Sequence, residues 1–158
     1  MGEAEQQHAK PGRLDPKIEN RLDTILRRMR ASGKRVTPQR MAILRVLAGS
    51  EGHPSVEQVH AAIRPEFPTT SLATVYKTIR MLGELGEIME LEFSGLGNRY
   101  DGARPYPHPH VICRTCGAIR DSDDREWREL ARKIARETGY AISGHRLDFF
   151  GLCPRCQG

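Results

Sequence analysis

All four cysteines of this 158-residue chain stand in two Cys-x-x-Cys pairs, Cys113-Arg114-Thr115-Cys116 and Cys153-Pro154-Arg155-Cys156. Two residues between thiols let one tight turn aim both sulfurs at a single ion. Two such turns complete a tetrahedral four-sulfur site with no position left for a substrate. The 36 residues between Cys116 and Cys153 exceed a simple zinc ribbon and leave room for a helix. Disulfides and a redox dithiol are the rival readings, although a thioredoxin-type site needs one pair at a helix start after a strand. The pattern therefore predicts a unit stapled by structural Zn(II), a device that supplements the thin core of a small domain.

The residues before this unit read differently. Pro16 to Ser32 carries Ile18, Leu22, Ile25, Leu26 and Met29 at three- and four-residue steps, with Asp15 as a cap and Gly33 as a stop. Thr37-Pro38 opens a second helix with Met41, Leu44, Val46 and Leu47 expected inside, ended by Gly49. Ser55 and Gln58 resemble a capping box ahead of Val56, Val59 and Ile63. Thr70 or Ser71 caps a fourth helix, Leu72 to Leu85, with Val75, Ile79 and Leu82 inward and Gly86 as its stop. The period then drops to two. Ile88, Leu91 and Phe93 form a strand-like run, Ser94 to Gly97 a turn, and Asn98 to Asp101 a return strand. Short helices followed by a two-stranded hairpin are the winged-helix order.

Charge follows this division. Arg13 to Ser50 holds ten Lys/Arg against three acids, whereas the whole chain carries +5. The basic half is thus the one that looks like a DNA reader. No apolar run approaches the roughly 20 residues needed to span a bilayer. The polar N-terminus lacks a signal-peptide apolar region, so a cytoplasmic protein is expected.

Pro105 to Pro109 is the expected linker. Beyond it, His110 to Cys113 and Ala118 to Asp121 read as strands, Asp124 to Thr138 as an amphipathic helix, and Tyr140 to Leu152 as one or two strands. The expected class is α+β. It consists of an arm over 1–15, a winged-helix DNA-binding domain over 16–102, a hinge over 103–107, and a small α/β dimerisation domain over 108–158 holding the four-cysteine zinc site.

His108-Pro109-His110 precedes the first cysteine pair, and side chains two apart in a strand share a face. With His53, Asp101 and Asp121 they make a mixed N/O set suited to Fe(II), Mn(II) or Zn(II). A hydrolytic metal centre is disfavoured, because no glutamate adjoins a histidine in a His-Glu-x-x-His motif.

Taken together, Arg35-Val36-Thr37-Pro38-Gln39-Arg40, His53-Pro54-Ser55, Ser71 to Tyr76, Asn98 to Asp101, His108 to Gly117 and Gly151 to Cys156 closely resemble the ferric-uptake-regulator (Fur) family. The resemblance implies a homodimeric repressor that binds an inverted-repeat DNA operator when loaded with a regulatory metal, not an enzyme. It places His53, Asp101, His108, His110 and Asp121 in the regulatory site, to hold Fe(II) or Mn(II). It makes the fourth helix the major-groove reader, with Arg40, Ser71, Thr74 and Tyr76 among the DNA contacts. Helix geometry adds Lys77 and Arg80, on the face opposite Val75, Ile79 and Leu82. Aspartate at both carboxylate positions resembles the peroxide-sensing (PerR) branch, whereas iron regulators tend to carry glutamate. A further site of many iron regulators would need more than His145, because Pro107, Pro109 and Arg128 fill its other positions. The stretch Arg104-Pro105-Tyr106-Pro107 makes the interval from Asp101 to His108 one residue longer than in peroxide sensors. It can absorb that length as a loop or displace Asp101 from the ion.

Overall fold

The computed structural model describes residues 15–93, 97–122 and 126–158. The expected arm, the turn residues Ser94 to Leu96 and the helix start at Asp124 lie outside the described residues, apart from Asp15. The order is α1 (Pro16–Ala31), α2 (Pro38–Gly49), α3 (Val56–Ile63), α4 (Leu72–Glu84), β1 (Met89–Leu91), β2 (Arg99–Asp101), β3 (His110–Cys113), β4 (Ile119–Asp121), α5 (Glu126–Thr138), β5 (Asp148–Gly151) and a short 3-10 turn at Pro154–Cys156.

Local chemistry sets the helix starts. The Asp15 carboxylate accepts the Lys17 N–H at 2.7 Å, ahead of Pro16. The Thr37 hydroxyl accepts from the Arg40 N–H, again before a proline. Ser55 and Gln58 exchange both bonds of a capping box. Of Thr70 and Ser71, it is Ser71 that caps α4. Gly86 follows α4 at φ +68°, a left-handed backbone that glycine adopts without steric cost.

The helices close on one core built from Ile25, Met29, Ile43, Leu44, Leu47, Val59, Val75 and Leu82, among others. Each such aliphatic side chain contributes about 1.5–3 kcal/mol by leaving water. The face of α2 differs from expectation. Ala42, Ile43, Leu44, Leu47 and Ala48 are buried, while Met41 and Val46 are only partly so. This helix is apolar nearly all round, so its period could not orient it; contacts with α1, α3 and α4 do. A buried ion pair closes the helical half: Glu87 takes Arg21 on one carboxylate oxygen and Arg28 on the other.

β1 and β2 form an antiparallel hairpin. β3 pairs antiparallel with β4 and parallel with β5, giving the order β4-β3-β5. A second apolar cluster joins the two sheets: Leu91 and Phe93 at the hairpin meet Ile112 and Ile119. Tyr140 to Leu152, expected to hold one or two strands, holds one, and Tyr140 to Leu147 is irregular. That strand is Asp148–Gly151, where the backbone pairs in register with β3. Among the described residues, no helix is long and apolar enough to cross a membrane.

Candidate metal centres

The parallel β3–β5 pairing builds the thiol site. It sets Cys113 opposite Gly151, so the second Cys-x-x-Cys turn follows directly alongside the first. The Arg114 N–H donates to the Gly151 carbonyl, and the Cys153 N–H reaches Cys113 Sγ at 3.3 Å. The four sulfurs lie within 4.8 Å of one another. Cys116 and Cys153, from different pairs, are 3.7 Å apart, far beyond a disulfide bond, and all four cysteines are free. Backbone N–H groups of Cys116 and Cys153 hold the Cys113 thiol down to about 6. Sharing protons with Cys153 and Cys116 pushes the Cys156 thiol up to about 12. Four sulfurs this close cannot all ionise unless a cation offsets their charge, and a tetrahedral thiolate set suits zinc.

The second cluster draws on both halves of the chain. His53 stands between α2 and α3, and Asp101 ends β2. His108 precedes β3, His110 opens it and Asp121 ends β4. The β3–β4 register sets His110 opposite Asp121. One ligand atom from each of the five residues lies within 4.8 Å of the others. His53 Nε2 is 2.8 Å from Asp121 Oδ1 and 3.7 Å from Asp101 Oδ2. His108 Nε2 is 3.4 Å from Asp101 Oδ2 and 3.2 Å from Asp121 Oδ1. An ion with N and O ligands at about 2.0–2.2 Å separates those ligands by roughly 2.8–4.4 Å, and the four separations above run from 2.8 to 3.7 Å.

The convergence is costly without an ion. His53 Nδ1 and Nε2, Asp101 Oδ2, His108 Nε2, both His110 ring nitrogens and Asp121 Oδ1 are buried with no aligned hydrogen-bond partner. A buried unsatisfied polar group costs about 1–3 kcal/mol, so this density of them points to a bound group. His53 adds strain. At φ 51° it is the one non-glycine with positive φ among the described residues.

Burial, with His108 and His53 as close neighbours, lowers the His110 ring to about 4, so that ring is neutral and ligand-competent at neutral pH. His108 is raised: burial opposes its charge, but Asp121 and the Tyr106 carbonyl favour it more strongly. Asp101 is raised by burial. Asp121 is lowered, because His108 and His53 outweigh its burial.

The proline-rich stretch after Asp101 runs as a loop and absorbs its length. Asp101 stays in the cluster because its Oδ1 accepts the Ala103 and Arg104 N–H groups at 2.9 and 2.8 Å, which leaves Oδ2 facing the histidines. Gly102 lies against Leu47 of α2, and its carbonyl accepts from Arg21 Nε at 2.7 Å. His145 lies apart, its ring 4.7 Å from that of Trp127.

Sequence reasoning missed Asp148, whose Oδ1 is 3.5 Å from His110 Nδ1. Its only signal is the parallel strand pairing, which no local pattern reveals. It also missed the Arg21 support behind Asp101 and the left-handed backbone at His53.

Of the candidate DNA contacts, Ser71, Tyr76, Lys77 and Arg80 are exposed along α4, and Thr74 is partly buried. Ser71 and Thr74 are bound to each other at the helix cap. The Tyr76 hydroxyl donates to Glu57 Oε1, and Arg80 pairs with Glu84. Arg40 is partly buried at the start of α2 and donates to the Arg35 carbonyl.

The model of the ferric uptake regulator family matches residues 31–150. The peroxide-responsive repressor PerR of Staphylococcus aureus (strain USA300) is 35% identical over 140 residues, 89% of this chain and 94% of that protein. The ferric uptake regulator Fur of Helicobacter pylori, whose structure reveals three functional metal-binding sites, superposes with a TM-score of 0.77 at 28% identity, over 93% of this chain and 97% of that one. The peroxide stress regulator of Campylobacter jejuni superposes with a TM-score of 0.67 at 28% identity, over 85% and 98%. This chain, with its helical half, hairpin and two clusters of metal-type ligands, belongs to the ferric uptake regulator family.

Proposed function

We propose that this chain is a cytoplasmic, homodimeric, metal-dependent transcriptional repressor that senses peroxide. In this reading Cys113, Cys116, Cys153 and Cys156 hold structural Zn(II). His53, Asp101, His108, His110 and Asp121 hold regulatory Fe(II) or Mn(II). One observation carries it: five buried ligand atoms from both halves of the chain converge on one point with no hydrogen-bond partners. An ion there ties His53 of the helical half to β3 and β4 across the 103–107 hinge. That fixes the reading helices at the spacing of two operator half-sites, about one helical turn or a multiple. Metal favours the closed form, and operator DNA reciprocally tightens metal.

Two surfaces support the remaining roles. Exposed Tyr76, Lys77 and Arg80 on α4, together with Arg40 at the start of α2, suit an inverted-repeat operator. On α5 and β5, Leu130, Ile134, Phe149 and Phe150 are all at least 41% exposed, apolar surface that suits burial by a second copy of the chain. The closed, buried centre favours a regulator over an enzyme.

Bound Fe(II) supplies reactivity toward peroxide, and His53 and His108 are the ligands proposed to be oxidised. The test is operator affinity with Fe(II) and with Mn(II), before and after peroxide, at fixed salt. Loss of binding from the Fe(II) form alone, with one added oxygen on a His53 or His108 peptide, is the expected result. Retained binding without that adduct rejects peroxide sensing. The superposition on the Helicobacter pylori iron regulator favours an iron-responsive repressor as the second reading. Chelation, but not peroxide, would then release the operator.

A further inference from the structure

His110 has a neighbour outside the five-residue cluster. Asp148 stands opposite it in the parallel β3–β5 register, and Asp148 Oδ1, 3.5 Å from His110 Nδ1, is buried without a hydrogen-bond partner. The other carboxylate oxygen accepts Arg146 Nε at 2.5 Å. The same guanidinium reaches out of the sheet. Its Nη2 donates to the Glu92 carbonyl at 2.8 Å, and its Cζ lies 4.9 Å from the centre of the Phe93 ring. Glu92 and Phe93 directly follow β1, so Arg146 bridges the C-terminal sheet and the hairpin of the helical half. Phe93 meets Phe150 of β5 edge-on beside this bridge.

We infer that Arg146 and Asp148 form a relay that couples occupancy of the His/Asp cluster to the seating of the hairpin on the C-terminal sheet. The inference rests on the regulatory-metal reading above. A carboxylate facing Nδ1 keeps the ring proton there and turns Nε2, as a lone pair, toward the ion. A metal-bound imidazole is a stronger Nδ1–H donor and holds Asp148 firmly. Asp148 in turn holds Arg146 in the one geometry that also reaches Glu92. The reverse also follows: a seated hairpin orders Arg146, hence Asp148, hence His110, before metal arrives. The planar guanidinium serves both acceptors at once, whereas a lysine ammonium at the same place is a single point charge. Arg146 and Asp148 are thus positioning residues, acting through His110.

The test uses the full-length protein and Mn(II) alone as probe. Mn(II) affinity is measured by chelator competition, and protection of the Glu92 and Phe93 amides by hydrogen exchange, with and without metal. Mn(II) is expected to protect those amides in the wild type. Asp148→Asn should weaken Mn(II) about 10- to 100-fold. Arg146→Lys should lose the metal-induced protection and weaken Mn(II) less than Asp148→Asn does, because Asp148 still faces His110 but is no longer held by the hairpin. With a DNA duplex selected by the wild-type protein, the gain in Mn(II) affinity should fall about tenfold in Arg146→Lys. Arg146 is 43% exposed, so its replacement leaves the core intact. Unchanged protection and coupling in Arg146→Lys, or wild-type Mn(II) affinity in Asp148→Asn, overturns the relay. If the wild type itself binds DNA equally with and without Mn(II), the regulatory reading fails first.

Discussion

Replacing Gly102 by alanine tests whether the Asp101 turn is held from behind. A Cβ at this position would lie 2.8 Å from Leu47 Cβ and 3.1 Å from both the carbonyl carbon and oxygen of Leu47. Carbon atoms rest at about 3.5–4.0 Å, so roughly 0.7 Å or more must open. Leu47 is 1% exposed, and two of the three clashing atoms are backbone of α2, so the helix cannot yield by changing a rotamer. The turn has to move instead. Its carbonyl then leaves Arg21 Nε, now 2.7 Å away, and the Asp101 carboxylate shifts with it. Overpacking costs about 1–3 kcal/mol, and loss of a charge-assisted hydrogen bond adds about 1.5 kcal/mol. At about 2–4 °C per kcal/mol for a chain of this size, the metal-free protein should melt roughly 5–18 °C lower. Displacing Asp101 should also weaken Mn(II) at least about tenfold. Thermal unfolding and chelator competition read the two effects. Gly144→Ala is the control, because its added methyl meets open space. A Gly102→Ala protein that melts and binds Mn(II) like wild type would show that the turn is not braced by α2.

Other outcomes are equally direct. Cys116→Ser should release the zinc and dissociate the dimer in native mass spectrometry, because structural zinc in small peptides is worth about 10–16 kcal/mol; a zinc-loaded dimer would contradict the staple. The folded His110 ring gains its proton at about 4 rather than 6.5, so the unfolded chain binds more protons between those values. That contribution to metal-free stability is present above 6.5 and lost as pH falls toward 4. His110→Gln should remove it, and parallel urea midpoints for the two proteins across this window would refute it. Lys77→Ala should weaken operator binding uniformly across sequences and lower the salt slope by about 1, whereas an unchanged slope removes Lys77 from the phosphate contacts. Glu87→Ala leaves the charge of Arg21, which is 14% exposed, without its carboxylate, and should cost about 3–5 kcal/mol in urea unfolding; a loss under 1 kcal/mol, typical of an exposed pair, would refute its burial.

Short-range chemistry was legible from residue types alone. Asp15, Thr37, Ser55 and Ser71 cap helices because their side-chain oxygens reach N–H groups two or three residues on, whatever the rest of the chain does. The Cys-x-x-Cys spacing and the His-x-His pair declared metal-type ligands for the same local reason. Long-range pairing belonged to the tertiary structure. Only the parallel seating of β5 on β3 brings Cys153 to Cys113 and Asp148 to His110. Only the meeting of the helical half with β3 and β4 puts His53 within 2.8 Å of Asp121. The burial face of α2 and the irregular path of Tyr140 to Leu147 were settled there too, because an all-round apolar helix and an alternating segment each fit several partners. Local torsions and caps depend on neighbours in sequence, whereas register and ligand convergence depend on which surfaces lose water together, a property of the whole chain.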